Sequence, residues 1–161
     1  MIDINSIYKN YRNKIFYYIF KMINQKELAE DLTQTVFIKL NHHKENINEE
    51  NKIPAWLYKT ARNEVYQHLR KNYSAKVVAL DYELQSSNDI ANDFENDELI
   101  ELMNRELNKV ADEQREVFIL REYSGMSYKE IADLLEINVD VVKSRLYMAR
   151  QQLLKKLSKF I

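Results

Sequence analysis

Residues 127–151 read SYKEIADLLEINVDVVKSRLYMARQ, and their pattern decides the fold because two helix starts stand eleven residues apart. Ser127-Tyr128-Lys129-Glu130 is a capping box, in which Ser127 covers a free backbone amide while Glu130 reaches back to the amide of Ser127. Ile131, Ala132, Leu134 and Leu135 supply the apolar side of the helix that follows. Asn138 then stands where a second N-cap is needed, just before Val139-Asp140-Val141-Val142. Two helices separated by about three residues fit a helix-turn-helix.

At 100° per residue, Val139, Val142, Leu146, Ala149, Leu153 and Leu157 fall on one stripe of the second helix, which must face a core. Lys143, Ser144, Tyr147 and Gln151 form a separate stripe suited to reach base edges, and Arg145 and Arg150 flank the apolar seam, where they can hold phosphates. From Val141 onward there are six Lys or Arg residues and no Asp or Glu, an electrostatic footprint for a polyanion. The plainer alternative is a solvated terminal helix whose last turns favour cations through the helix dipole.

Moving toward the N-terminus, residues Val77 to Asn104 carry eight Asp or Glu and no Lys or Arg, and Gln85-Ser86-Ser87-Asn88-Asp89 has no apolar periodicity. Residues 77–95 are therefore expected to be an acidic flexible linker between two small domains, 1–76 and 96–161. The net charge of −1 sums segments of opposite sign: Tyr58 to Lys76 holds five Lys or Arg against the single Glu64. The chain contains one Gly and one Pro, and apolar spacings of three and four recur, so an all-α protein is expected. With no cysteine, disulfides and cysteine-based zinc sites are excluded. No run approaches the roughly 20 apolar residues that cross a bilayer, and nothing at the N-terminus resembles a signal peptide. A cytoplasmic location without membrane insertion is expected, with no cofactor and no metal.

The first helix is expected over about Ile4 to Ile23, with Ile4, Tyr8, Tyr11, Ile15, Tyr18 and Met22 on one side. The second, about Gln25 to Asn41, is expected to bury Leu28, Leu32, Val36 and Leu40; its opposite stripe of Glu27, Glu30, Asp31, Gln34 and Ile38 has the composition of a docking face. After a polar loop at 44–52, Pro54 suits the first turn of a helix running to about Asn72. There Trp56, Tyr58 and Tyr66 are candidates to stack on bases, and Lys59, Arg62 and Arg70 to track phosphates, the combination that single-strand binding requires. A tryptophan near a helix start also suits a core anchor.

These residues resemble a known family. Ser127-Tyr128-Lys129-Glu130-Ile131-Ala132 with Val141-Val142-Lys143-Ser144-Arg145-Leu146 and Ala149-Arg150 is similar to region 4 of the extracytoplasmic-function (ECF) sigma factors, the smallest members of the sigma-70 family. Residues Arg115 to Met126 resemble the helix and turn that precede that motif, and Ala29 to Leu40 resemble region 2.2. Ala55 to Asn63, with Leu69-Arg70, resemble regions 2.3 and 2.4. The resemblance implies a region 2 helical bundle over 1–76 that binds core RNA polymerase and melts the minus-10 element, and a region 4 helix-turn-helix over 96–161 that reads the minus-35 element. It assigns Glu30, Asp31, Gln34 and Ile38 to the β′ clamp helices of the polymerase, with the β flap as a second contact. It assigns Trp56, Tyr58, Lys59, Arg62, Asn63, Tyr66 and Arg70 to the minus-10 element, and Lys143, Ser144, Arg145, Tyr147, Arg150 and Gln151 to minus-35 DNA. Many relatives are held by an anti-sigma factor. A tether of roughly 20 residues extends to about 65 Å, between one and two duplex turns of about 35 Å, so the polymerase must set the spacing between the two elements.

Departures from the family pattern bear on details. Val110-Ala111 replaces the common Leu-Pro, Glu136 occupies a turn position that often carries glycine, Gln67 stands where aspartate is common, and Met148 where a basic residue is frequent. A free-standing helix-turn-helix regulator explains the C-terminal half but leaves the Asp31 stripe and the aromatic basic helix without a purpose. An enzyme built on His42-His43 with Glu45, or on His68, lacks a third ligand at helical spacing. A protein-only helical adaptor does not use the basic faces.

Overall fold

The computed structural model describes residues 2–78 and 98–160, and every regular element among them is helical. They fall into two compact units, one before and one after the undescribed stretch. The N-terminal unit consists of α1 (Ile4–Ile23), α2 (Lys26–His43) and α3 (Ile53–Val78), each packed against the other two. The C-terminal unit holds α4 (Glu98–Asn108), α5 (Asp112–Glu122), α6 (Tyr128–Leu135) and α7 (Val139–Leu157).

Local chemistry accounts for several helix ends. The Asp3 carboxylate accepts from the amides of Asn5 and Ser6 to start α1, and α1 stops at Asn24, whose φ of 56° lies in the left-handed region. Asparagine tolerates that backbone better than most residues. α2 runs two residues beyond its expected end, and two short 3-10 turns, Lys44–Asn46 and Glu50–Lys52, lead into α3. α3 passes its expected end near Asn72 and continues through Val78, across the first two positions expected to be linker. The remainder of the 77–95 linker lies outside the described residues.

The N-terminal core differs in detail from a single-stripe reading. In α1, Phe16, Ile19, Phe20 and Ile23 are buried together with Ile15, Tyr18 and Met22, whereas Tyr8 remains partly exposed at the rim, edge-on to Phe37. A helix gripped by two neighbours buries more than one stripe. For the same reason α2 turns Ala29, Thr33, Val36, Phe37 and Leu40 inward and leaves Leu28 and Leu32 half-buried. Thr33, buried, is satisfied by donating its hydroxyl to the Ala29 carbonyl at 2.6 Å.

In the C-terminal unit α7 packs on α4, α5 and α6. Its apolar stripe behaves as expected, with Val142, Leu146, Ala149 and Leu153 buried and Val139 and Leu157 half-buried. Ala111, standing at the α5 N-cap, offers no side-chain cap. The buried Arg115 closes this junction from the other side: one terminal nitrogen donates to the carbonyls of Val110 (2.8 Å) and Asn108 (3.3 Å), the other to Asp112 at 2.9 Å. Carbonyls at a helix end have no intrahelical donor, so a buried guanidinium there removes a desolvation cost.

Candidate nucleic-acid interface

The helix-turn-helix is built as its residues require. Ser127 accepts from the Glu130 amide at 3.0 Å while the Glu130 carboxylate accepts from the Ser127 amide at 2.9 Å, closing the capping box of α6. Glu136 ends α6 with φ 58°, and the Ile137 amide reaches back to the Ala132 carbonyl at 3.1 Å. Three residues after α6, the Asn138 side chain accepts from the Val141 amide at 3.0 Å and opens α7. Upstream, Gly125 turns the chain at φ 71° between α5 and α6.

These joints aim α7 outward. Lys143, Ser144, Tyr147 and Gln151 are all exposed, Tyr147 to 62%, a large aromatic ring standing in solvent. Arg145 and Arg150 do not stand as loose flanks. Arg145 is half-buried and pairs with Glu113 at 3.3 Å, and Arg150 pairs with Glu122, so both arginines of α7 are tied to carboxylates of α5. The Glu122 hydrogen bond is the main reason that the Arg150 pKa lies above its ordinary value; partial burial opposes it, and the Glu122 charge and Tyr128 add.

A second cluster lies beside this face and was not singled out by sequence. The Tyr128 ring carries the Arg121 guanidinium 4.4 Å from its centroid and the Lys143 ammonium 5.7 Å from it. Arg121 also donates to the Met126 carbonyl at 2.9 Å, bracing the turn at Gly125. No local spacing signals this arrangement, since the three residues come from three different helices.

On α3 the expected basic-aromatic stripe is present: Lys59, Asn63 and Arg70 are exposed, and Arg62 and Tyr66 are half-buried, with the guanidinium 4.8 Å from the tyrosine centroid. Tyr58 does not belong to it. It is only 4% exposed, with its ring edge-on to Tyr18 at 5.9 Å between centroids, so it is a core residue and cannot stack on a base without leaving the bundle. The 100° projection applied above to α7 would have found this, because it places Tyr58 near Ala61 and Val65, both buried. Trp56 is half-buried beside His43, with ring centroids 6.1 Å apart. A pair linking helices, Lys39 to Glu64 at 2.8 Å, was also not expected; Glu64 is buried and Lys39 reaches it from α2.

The outer stripe of α2 is open to solvent, with Glu27, Glu30, Asp31 and Gln34 exposed and Ile38 exposed to 56%. Of the histidines, His68 is half-buried on α3 with its pKa lowered, first by burial and then by the charge of Lys71. Among the described residues no group of three or more His, Cys, Asp or Glu is placed to hold a metal ion, and no helix is long and apolar enough to cross a membrane.

Comparison with known proteins adds a family context. Residues 7–74 match the family model "Sigma-70 region 2", and residues 100–153 match "Sigma-70, region 4". The chain is 29% identical over 155 residues to the ECF RNA polymerase sigma factor SigM of Bacillus subtilis (strain 168), covering 94% of this chain and 93% of that one. It is 28% identical over 161 residues to the RNA polymerase sigma factor YlaC of the same organism, covering 98% and 93%. Among solved structures, its fold is similar to that of the sigma factor RpoE crystallised with the anti-sigma factor NepR from Bartonella quintana, with a TM-score of 0.77, 23% identity and 96% of each chain covered.

Proposed function

This chain belongs to the sigma-70 family of RNA polymerase sigma factors, as a member of the ECF type, and from that premise we propose how it directs transcription initiation. The N-terminal unit docks on core RNA polymerase through Glu30, Asp31, Gln34 and Ile38, a stripe whose carboxylates, amide and exposed isoleucine suit a partner helix with basic and apolar positions. The same unit opens the minus-10 element: Tyr66 and Trp56 offer ring faces to an unstacked base, and Lys59, Arg62, Asn63 and Arg70 follow the strand. Tyr58 has no part in that contact and supports the helix from beneath.

The C-terminal unit reads the minus-35 element with α7 in the major groove. Ser144, Tyr147 and Gln151 present hydrogen-bonding and apolar groups toward base edges on the stripe shared with Lys143, and Arg145 and Arg150 lie at its borders for phosphates. The chain supplies selectivity and the polymerase supplies the chemistry, so this protein is not itself an enzyme, and its place of work is the cytoplasm. Domain limits of 1–76 and 96–161 are proposed for these two roles. An anti-sigma protein that covers the docking stripe is proposed as the regulatory partner.

The observation that carries this reading is the occurrence of two sigma-70 regions in order, 7–74 and 100–153, each falling on its own helical unit. A free-standing regulator has no use for the first of them. Run-off transcription with purified core enzyme and a library of promoter fragments tests the reading. Template-selective transcripts that require this chain support it; unchanged start sites with and without the chain would refute it.

A further inference from the structure

The proposed function uses Lys143 and Arg150 but gives no role to Tyr128, the ring beside which they gather with Arg121. Tyr128 stands half-buried at the first position of α6, with Arg121 of α5 and Lys143 of α7 at 4.4 and 5.7 Å from its ring centroid. Arg150 lies two turns beyond Lys143 on the same side of α7 and is held by Glu122, the neighbour of Arg121. Two positive side chains thus lie against one ring, and a third, Arg150, is held beside them by the Glu122 carboxylate and feels the Tyr128 hydroxyl. Like charges repel, so such a gathering needs a device to hold it. An aromatic face attracts a cation without neutralising it. The carboxylate of Glu122 fixes Arg150 while the cluster keeps an excess of positive charge beside the groove-facing stripe.

We propose that Tyr128 is a positioning residue for DNA-backbone contact, holding Arg121 and Lys143 by its ring while Glu122 holds Arg150, so that the three cations meet successive phosphates beside the minus-35 element. This rests on the reading of the C-terminal unit as the minus-35 module. It gives Lys143 a backbone role in place of the base-edge role expected from its stripe, and it brings Arg121, Glu122 and Tyr128 into the interface.

The test uses the full chain assembled with core polymerase and a fluorescent promoter fragment, with affinity measured across a salt series. Each phosphate contact contributes about 0.9 to the slope of log affinity against log salt. Tyr128→Leu is expected to make the slope shallower by about 1 to 2, and Tyr128→Phe, which keeps the ring, to stay within about 0.5 of the unaltered chain. Arg121→Gln and Lys143→Gln each remove about 0.9 in the unaltered chain and clearly less in the Tyr128→Leu background, since coupled residues are not additive. An unchanged slope for Tyr128→Leu, or full additivity, overturns the proposal. Should Tyr128→Leu fail to fold, an unchanged slope for both Arg121→Gln and Lys143→Gln overturns it equally. If the unaltered holoenzyme binds no promoter fragment at all, the functional reading falls and this inference with it.

Discussion

Replacing Tyr58 separates two roles that its position in an aromatic basic helix leaves open. The structure buries Tyr58 to 4% exposure with its ring edge-on to Tyr18. Truncating a buried aromatic to alanine costs about 3–5 kcal/mol, of which roughly 0.5–1.5 kcal/mol belongs to the ring pair. A unit of roughly 80 residues has a stability of about 4–12 kcal/mol, so Tyr58→Ala removes a large part of it. At about 4–8 °C per kcal/mol for a domain of this size, the midpoint falls by at least about 12 °C. Tyr58→Phe keeps the ring against Tyr18 and is expected to melt much closer to the unaltered chain than Tyr58→Ala does. Trp56 is the single tryptophan of the chain and lies in the same unit, so its fluorescence reports that transition alone, even in the intact protein. Tyr66→Ala, by contrast, is expected to leave the midpoint nearly unchanged while reducing strand opening at the minus-10 element. If Tyr58→Ala melts with the unaltered chain and yet fails to open promoters, the burial argument is wrong and Tyr58 is a base contact.

Further outcomes follow from the same structure. Glu136→Gly relieves a left-handed backbone at φ 58° and is expected to stabilise the C-terminal unit by about 1 kcal/mol, visible as a higher denaturant midpoint. Asp31→Lys reverses a charge on the exposed stripe of α2 and should weaken co-elution with core polymerase at unchanged chain stability; full co-elution would remove Asp31 from that surface. Ser144→Ala is expected to shift minus-35 sequence preference, whereas Arg145→Ala should weaken binding to all promoters and reduce the salt slope by about 1; equal losses on every promoter from both would contradict the division. His68 has a lowered pKa in the folded chain, so the unfolded chain binds the extra proton first as pH falls. Its contribution to stability is therefore complete above 6.5 and declines below that value; a stability profile that rises on acidification from pH 7 to 6 in the wild type, but not in His68→Asn, would show the opposite sign.

Much of the architecture was legible because its causes are local. The capping box at Ser127 and the N-cap at Asn138 are each set by residues within four positions of one another, and both are realised. The helical period likewise separates the buried stripe of α7 from the exposed residues Lys143, Ser144, Tyr147 and Gln151. The exposed stripe of α2 could be read in the same way, since Glu27, Glu30, Asp31, Gln34 and Ile38 face away from the side on which Val36 and Leu40 are buried. The candidate minus-10 helix was legible in composition but not in detail. Its aromatic residues look alike along the chain, and only one of the three expected stackers, Tyr58, faces fully inward.

By itself, then, the sequence determined that the chain is helical, where α6 and α7 start, which face of α7 is apolar, and that basic and acidic segments are kept apart along the chain. Those properties depend on contacts within one helical turn or on charge counts, and both are written in residue order. Tertiary structure decided which polar groups meet. Lys39 finds Glu64, Arg145 finds Glu113, Arg150 finds Glu122, and Arg121 meets Lys143 across the ring of Tyr128. Each pairing joins two helices, and its partners become neighbours only after apolar burial has fixed how those helices cross. Tyr58 belongs to both levels: the helical period already places it beside Ala61 and Val65, and the approach of Tyr18 from α1 completes its burial.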